Sequence, residues 1–216
     1  MKITLFRDLP TERWPSMERY ADALGAALRA QGCAAADYVA ARPCPRLSGL
    51  ADTLGNYLWR TLVYPPLAHF HQGEVNHIID HSYAHLLGAL DPRRTVVTCH
   101  DLAPLALGQQ GRGLARRLWN SADLVVLVTT PEPDAIMDSY AAIKVLLGPA
   151  TSVPVQTLIN LAAGHAVAVD VHGRIAQAAQ RFLGVHVGAA GYLPCDQMIA
   201  EAASSKSPFL IRSPRC

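Results

Sequence analysis

The hydrophobic positions of this chain alternate between the spacing of β-strands and the spacing of helices. Short apolar or β-branched runs recur between stretches whose apolar residues lie three and four positions apart. These runs predict about seven strands, at Ile3–Phe6, Asp37–Ala40, Val75–Ile79, Thr95–Cys99, Leu124–Thr129, Val153–Ile159 and Val185–Tyr192. The uninterrupted run at Leu124–Thr129 is typical of a parallel strand that is buried on both faces.

Helical spacing separates the predicted strands. The helices are expected at Ser16–Gln31, Leu50–Val63, His81–Leu90, Gly113–Asn120, Asp134–Leu147, Val171–Phe182 and Cys195–Ala203. We expect Pro65-Pro66 to end the second helix, which carries an apolar stripe. The alternation indicates a Rossmann-like, doubly wound, mainly parallel sheet of about seven strands flanked by helices, within one composite α/β domain over residues 1–216.

Composition narrows the class of protein. Half of the 216 residues are hydrophobic, enough to bury the core of one large domain. Lys and Arg (19) barely outnumber Asp and Glu (17) and are scattered, so nothing indicates a nucleic-acid partner. The 5 cysteines have no zinc-ligand spacing and are interpreted as reduced thiols of a cytoplasmic protein.

The apolar runs also bear on targeting and membranes. The run Met1–Phe6 is followed at once by charged residues, which favours a first strand over a signal peptide. The longest candidate span, Leu158–Val171, is interrupted by Asn160 and Asp170 and is interpreted as a strand end followed by a loop. We therefore expect no membrane span.

Ligands of parallel sheets bind at the carboxyl ends of the strands. The polar residues predicted there are Arg7-Asp8, Asp80-His81, His100-Asp101, Thr130-Pro131-Glu132, Asn160 and Pro194-Cys195-Asp196. They can bind a sugar, a phosphate or a base, but they form no complete catalytic set. The sequence has neither a P-loop motif nor a G-x-G-x-x-G motif, and the glycines at 108, 111 and 113 are interpreted as a flexible loop.

The first half carries two informative segments, Ile79-Asp80-His81-Ser82-Tyr83-Ala84-His85 and Thr95-Val96-Val97-Thr98-Cys99-His100-Asp101-Leu102. On these segments, residues 1–120 resemble the amino-terminal domain of family 4 glycosyltransferases of the GT-B fold. The resemblance implies an acceptor-side domain, with His100, Asp101 and His81 as candidate acceptor- or sugar-binding residues. It also implies that a nucleotide-sugar donor is held mostly by a separate carboxy-terminal domain, whose basic and paired-Glu motifs do not occur in this sequence.

The second half carries Thr129-Thr130-Pro131-Glu132-Pro133, a downstream Asp138-Ser139-Tyr140-Ala141-Ala142-Ile143-Lys144, and Gly191-Tyr192-Leu193-Pro194-Cys195-Asp196. On these strings, residues 121–216 resemble the later part of MinD-type P-loop ATPases, closest to the flagellar-number regulators. The resemblance implies that Asn160, Pro194 and Asp196 are candidate contacts of a nucleotide base. The Walker motif and the Mg²⁺ ligands of that family would precede Ser121, where the sequence is glycosyltransferase-like.

Two histidine patterns have competing interpretations. His81 and His85 lie four positions apart beside Asp80, a spacing that suits a metal on a helix, but no third ligand follows, so we predict no metal. His100 and Asp101 could form a base with its orienting carboxylate. Adjacent residues of an extended chain point opposite ways, which favours a loop cap or an acceptor contact.

Three hypotheses follow. The leading one is an engineered or recombined chimera of two Rossmann-like halves, without native catalytic activity, without a cofactor, and with at most weak binding of a nucleotide or sugar. The alternatives are an acceptor-side glycosyltransferase domain that acts with a separate donor-binding chain, and a degenerate MinD-like module that binds a nucleotide or a partner. Sheet edges without their usual neighbours would also allow a homodimer.

Overall fold

The computed structural model describes residues 1–12, 14–40, 50–100, 122–146 and 153–196. The chain divides into two compact units. Unit 1 is described within residues 1–100, and unit 2 within residues 122–196. The predicted helix Gly113–Asn120, the candidate Asp101 and most of the predicted helix Cys195–Ala203 lie outside the described residues.

Unit 1 contains a four-stranded parallel sheet in the order β2-β1-β3-β4. The strands are β1 (Lys2–Phe6), β2 (Ala34–Tyr38), β3 (Val75–Ile78) and β4 (Thr95–Val97). The central strand β1 pairs on both sides, and β2 lies at the edge and begins earlier than predicted. Its Ala-rich sequence has weak strand propensity, so pairing with β1 sets its position more than propensity does.

Helices cover both faces of this sheet. The helical segments are α1 (Pro15–Ala30), α2 (Leu50–Leu58), a π-helical turn (Trp59–Val63), α3 (Tyr64–Phe70), and 3₁₀ segments at His81–Gly88 and Pro92–Arg94. Ile3 and Leu5 pack with Ala21 of α1 in one core. Phe6 and Ile78 pack in a second core with Tyr64 of α3. The strand β1 is therefore buried on both faces, as expected of a doubly wound sheet.

The prolines at 65 and 66 begin a helix instead of ending one, so that prediction was wrong. Both lie in the first turn of α3. The N–H groups of a first turn have no acceptor within the helix, so proline costs no hydrogen bond there. The π-helical turn leads into them, because the N–H of Tyr64 donates to the carbonyl of Trp59. The predicted apolar stripe faces solvent, since Tyr57 is 62% and Leu62 is 66% exposed.

Unit 2 contains a three-stranded parallel sheet in the order β5-β6-β7. Its elements are β5 (Val125–Thr129), α4 (Pro133–Leu146), β6 (Val155–Ala162), α5 (His165–Leu183) and β7 (Val187–Pro194). The helix α5 begins at His165, where we predicted a loop. Its core residues Ala168, Val171 and Ile175 are three and four positions apart, and they pack with β5, β6 and β7 in a single core.

The α/β class with parallel sheets flanked by helices is confirmed, but the single sheet of about seven strands is wrong for the described residues. The described strands form sheets of four and three. Apolar spacing identifies strands without identifying their neighbours, and that is why the division was missed. The run in β5 was also misinterpreted, because Val126 and Val128 are 46% and 57% exposed. No helix in the described ranges is long and apolar enough to span a membrane.

Candidate functional site

The carboxyl edge of the unit 1 sheet brings charged side chains together. The strands β1 and β3 are parallel neighbours with Phe6 paired to Ile78, and the N–H of Ile79 donates to the carbonyl of Phe6. Asp8 follows β1, and Asp80 follows β3. Since both segments leave the sheet at the same edge, their side chains face a common region.

Asp8 is the most perturbed acid of this edge. Both of its carboxylate oxygens are shielded from solvent and have no hydrogen-bond partner among the residues that the structure describes. Burial, together with the negative charges of Asp80 and Glu12, raises the pKa of Asp8 to about 7. The side chain can therefore gain or lose a proton near neutral pH, as a general acid or base must.

The neighbouring carboxylate of Asp80 differs from that of Asp8, because it has close partners and a lowered pKa. Its Oδ1 lies 2.8 Å from Nδ1 of His81, and its Oδ2 accepts a hydrogen bond from the hydroxyl of Ser82 at 2.5 Å. Burial acts to raise the pKa of Asp80, but the hydrogen bonds from His81 and Ser82 outweigh it and lower the pKa to about 2. Two close carboxylates with separated pKa values are a common arrangement in functional sites.

Arg60 connects this edge to the π-helical turn. Its Nη1 donates to Oε1 of Glu12 at 3.1 Å, and its Nη2 donates to the carbonyl of Ser82. The guanidinium carbon also lies 4.2 Å from the ring centre of Tyr83, within the range of a cation–π interaction. Tyr83 is fully buried, and its hydroxyl accepts a hydrogen bond from the N–H of Leu9 at 2.8 Å. These contacts fix the loop that carries Asp8.

Arg7 points to other acids. Its Nη1 lies 2.8 Å from Oδ1 of Asp22 and 3.6 Å from Oδ1 of Asp37, and its Nη2 donates to the carbonyl of Glu18. Its charge therefore supports the packing of α1 and β2.

A second polar cluster follows β4. The Nε2 atom of His77 lies 2.7 Å from Oγ1 of Thr98, and the hydroxyl of Tyr20 lies 3.3 Å from the same oxygen. The Nε2 atom of His100 lies 2.9 Å from the carbonyl oxygen of Ile79, and its ring packs edge-on against Tyr20. A carbonyl only accepts, so Nε2 carries the proton, and Nδ1 of the neutral ring is left as an acceptor.

A small cavity lies at this edge, with a volume of about 20 Å³. That is room for one water molecule or one small polar group. Its lining includes Arg7, Asp8, Leu9, Met17, Glu18 and Ile79. Ile79 thus lines the cavity and also contacts His100 through its own carbonyl oxygen.

His81 and His85 make separate contacts. His81 lies against Asp80, whereas Nε2 of His85 lies 2.9 Å from the carbonyl oxygen of Arg60. The segment is a 3₁₀ helix with three residues per turn, so residues four apart do not share a face. Within the described ranges, no group of at least 3 His, Cys, Asp and Glu side chains is arranged to hold a metal ion.

The candidates of unit 2 lie at the carboxyl ends of two adjacent strands. Asn160 lies in β6, and its Oδ1 accepts a hydrogen bond from the N–H of Leu161 at 3.0 Å. The register of β6 with β7 shifts between Ile159 and Ala162, and Leu161 adopts a φ of 57° at this bulge. Pro194 pairs with Ala162, and Asp196 follows β7. The three candidates are thus gathered at one edge.

No protein-family model matches the chain, and no curated protein matches it at a significant level. The two resemblances described above therefore stay predictions.

Sequence reasoning placed Asp8 at the correct edge but did not select it as a site residue. The available signal was its position directly after the first strand. It missed Glu12 and Arg60 altogether, because these residues are 48 positions apart and no motif links them. Of the predicted sugar-binding residues, His81 and His100 lie at the unit 1 edge, where His81 contacts Asp80 and His100 contacts the carbonyl of Ile79.

Proposed function

We propose that unit 1 binds a sugar-like polyol weakly at the carboxyl edge of its sheet, and that the chain does not turn over nucleotides or nucleotide-sugars by itself. The observation that supports this most is the convergence of Asp8, Asp80 and Arg60 at that edge, where Asp8 also lines a small cavity. Vicinal hydroxyl groups both donate and accept hydrogen bonds, so they suit a site that mixes carboxylates with a guanidinium. The proposal agrees with the leading hypothesis of a composite protein.

His100 supports the same ligand class. With Nε2 donating to the carbonyl of Ile79, the ring can present Nδ1 as an acceptor, and the residue is exposed. A ligand hydroxyl can donate to this nitrogen while it accepts from a neighbouring donor. The small cavity at this edge accepts a single polar group, so most of the ligand stays in solvent. We expect dissociation constants on the order of millimolar.

The decisive experiment is an NMR titration of the ¹⁵N-labelled full chain with glucose, mannose and sorbitol. We expect amide shifts confined to three segments, residues 7–9, 79–82 and 98–100, and a loss of affinity in His100→Ala. His186→Ala removes an exposed imidazole of unit 2 and is the matched control. Saturable binding without shifts in these segments would place the ligand elsewhere and overturn the proposal.

Activity is tested separately with nucleotide-sugar donors and ATP. We expect no release of nucleotide or phosphate above a buffer control. Turnover of a nucleotide-sugar by the isolated chain would instead favour the acceptor-side glycosyltransferase hypothesis, and it would contradict the second part of the proposal.

A second candidate function is nucleotide binding by unit 2. The bulge at Asn160 and Leu161 favours it, because bulges and residues with positive φ concentrate at functional sites. Asn160 is also held at the edge shared with Pro194, where the resemblance expects a base. Because the sequence has no P-loop motif, this candidate function is binding of a nucleotide without hydrolysis.

A further inference from the structure

We propose that Trp14 is a further binding residue of the unit 1 site, and that its indole ring makes this site prefer cyclic sugars to linear polyols. This inference rests on the proposed function, because it names the ligand class of the same site. It starts from the position of a large aromatic side chain. Trp14 lines the small cavity at the carboxyl edge together with Arg7, Leu9 and Ile79, and it is 57% exposed.

The start of α1 fixes the backbone of Trp14. Trp14 is the N-cap residue of this helix, and its carbonyl accepts hydrogen bonds from the N–H groups of Met17 at 3.0 Å and Glu18 at 3.1 Å. Pro15 follows it and disfavours a helical conformation at the residue before it, which agrees with the φ of −100° and ψ of 87° at Trp14. The ring is therefore presented from a fixed backbone, and a ligand that covers it orders few torsions.

The side chain of Trp14 contributes neither to the helix cap nor to a described core. The N-cap position favours Ser, Thr, Asp and Asn, whose side chains accept a hydrogen bond from the first turn. Within the described part of the chain, Trp14 makes no such side-chain bond, and the two cores of unit 1 do not include it. Departures from local preference without a structural gain are expected at functional sites.

A pyranose ring is chemically suited to an exposed indole beside a carboxylate. Its hydroxyls lie around the rim, and its axial C–H groups form a small apolar face. The face of an aromatic ring carries partial negative charge, so it attracts these polarised C–H groups while the contact removes both surfaces from water. Glu18 lines the same cavity and is exposed, and its carboxylate can accept hydrogen bonds from hydroxyls at the rim.

Other ligand shapes use this surface less well. A linear polyol has no fixed apolar face, and binding must order rotatable bonds that a closed ring does not have. A nucleotide has a flat base, but its phosphates would meet the carboxylate of Glu18, while the cation of the cavity lining, Arg7, is already bound by Asp22. We therefore assign the indole to neutral cyclic sugars.

The first test follows the indole N–H signals of the ¹⁵N-labelled full chain while methyl β-D-glucopyranoside is added. We expect a saturable shift of the Trp14 signal, which is assigned by its loss in Trp14→Phe. Trp59 is an internal control, because its Nε1 donates to the carbonyl of Ala40 at 2.7 Å, so its signal should not shift. Saturable binding that leaves the Trp14 signal unchanged would contradict the inference.

The second test compares the affinities of the glucoside and of sorbitol. We expect about fivefold tighter binding of the glucoside by the unmodified chain, the size of one aromatic contact. The two affinities should become equal in Trp14→Ala, whereas Trp14→Phe keeps an aromatic face and should keep part of the preference. Phe70→Ala removes a ring that is 79% exposed at the end of α3, and this matched control should keep the full preference.

The outcomes separate this inference from the proposed function. Equal affinities in the unmodified chain, or a preference that survives in Trp14→Ala, would overturn the role of Trp14 and leave polyol binding intact. Tighter binding of adenosine than of the glucoside, with a shift of the Trp14 signal, would assign the ring to a planar base and would also overturn it. Absence of binding by every compound would overturn both proposals. The indole signals of the unmodified chain test the inference even if Trp14→Ala does not fold.

Discussion

Unit 1 and unit 2 are both built from parallel strands and helices, but they cover their sheets differently. In unit 1, one core lies against α1 and another against α3, so the central strand is enclosed. In the described part of unit 2, residues of α4 and α5 share one core with the sheet. Val126 and Val128 of β5 stay exposed on the other face. The same alternation of strands and helices therefore gives a sheet that is covered on both faces in unit 1 and a sheet with exposed residues on one face in the described part of unit 2.

The interiors differ in chemistry as well. Unit 1 buries Asn76 and Asp80 together with two tyrosines, Tyr64 and Tyr83. The buried polar residues described in unit 2 are Thr129, Ser139 and Thr157, whose hydroxyls are short. Asp80 contacts His81 and Ser82 at the end of a strand, whereas the hydroxyls of Thr129 and Thr157 bond to the helices that cover their strands, at the carbonyl of Ala135 and at Nδ1 of His172. The buried polar groups of unit 1 therefore include a carboxylate at the edge of the sheet, and those described in unit 2 do not.

The largest expected effect tests the single core of unit 2. Ile175 of α5 is 1% exposed, and replacing it with alanine should lower the free energy of unfolding by about 2–5 kcal/mol, because a cavity remains. Met137 of α4 is 65% exposed, so Met137→Ala is the control and should change stability little. Hydrogen exchange should show protection lost in β5, β6 and β7. Unchanged protection of these strands would mean that the described core does not stabilise the sheet.

A smaller effect is expected from one hydroxyl in unit 1. The buried hydroxyl of Tyr64 lies 2.7 Å from the carbonyl oxygen of Arg7 and 3.1 Å from that of Tyr38. Tyr64→Phe should cost about 1–3 kcal/mol in chemical denaturation, because the carbonyl of Arg7 loses this donor, while the carbonyl of Tyr38 still accepts from the N–H of Arg7. Tyr57 is 62% exposed, so Tyr57→Phe should be neutral. Equal effects of the two changes would contradict the polar interior of unit 1.

The sequence predicts the elements of both units better than their arrangement. Apolar spacing located every described strand to within a few residues, because the side chains that pack also set the spacing. It could not show that, among the described strands, β4 pairs with β3 alone and β5 with β6 alone, since pairing depends on contacts between distant residues. Val126 was also predicted to be buried, because a strand that is exposed on one face can have the same composition as a strand that is buried on both faces.

The candidate site was predictable only in part. The rule that ligands bind after parallel strands pointed to Asp8, Asp80 and His100. Nothing in the sequence indicated that Asp8 has no hydrogen-bond partner within the described ranges, or that Arg60 reaches the loop from a π-helical turn. These properties arise from burial and from long-range contacts, which spacing does not encode.

The pH dependence of stability tests the environment of Asp8 in unit 1. Its pKa of about 7 in the folded chain exceeds the ordinary value of 3.8, so the folded state binds more protons between these values. Stability from this group is therefore present at low pH and lost as the pH rises towards 7. Asp8→Asn should remove that loss and gain about 1 kcal/mol at neutral pH, the low end of the cost of a buried unpaired group.

Thermal melts of the unmodified chain and of Asp8→Asn, from about pH 4 to about pH 8, provide the measurement. The difference between them should grow with pH. Asp138→Asn removes an exposed acid of α4 and should give a constant difference. A difference for Asp8→Asn that does not change with pH would mean that Asp8 has an ordinary pKa.

The smallest expected effect concerns the edge of unit 2. ADP at a concentration equal to its dissociation constant stabilises a binding protein by about 0.4 kcal/mol, which corresponds to a rise of about 2 °C in melting temperature. The rise should vanish in Asn160→Ala and persist in Gln156→Ala, which removes an amide from the same strand. Asn160 also accepts the N–H of Leu161 at the bulge, so its loss alone can lower the melting temperature. The informative quantity is therefore the difference caused by ADP within each variant, and a rise that survives in Asn160→Ala would remove this residue from any nucleotide site.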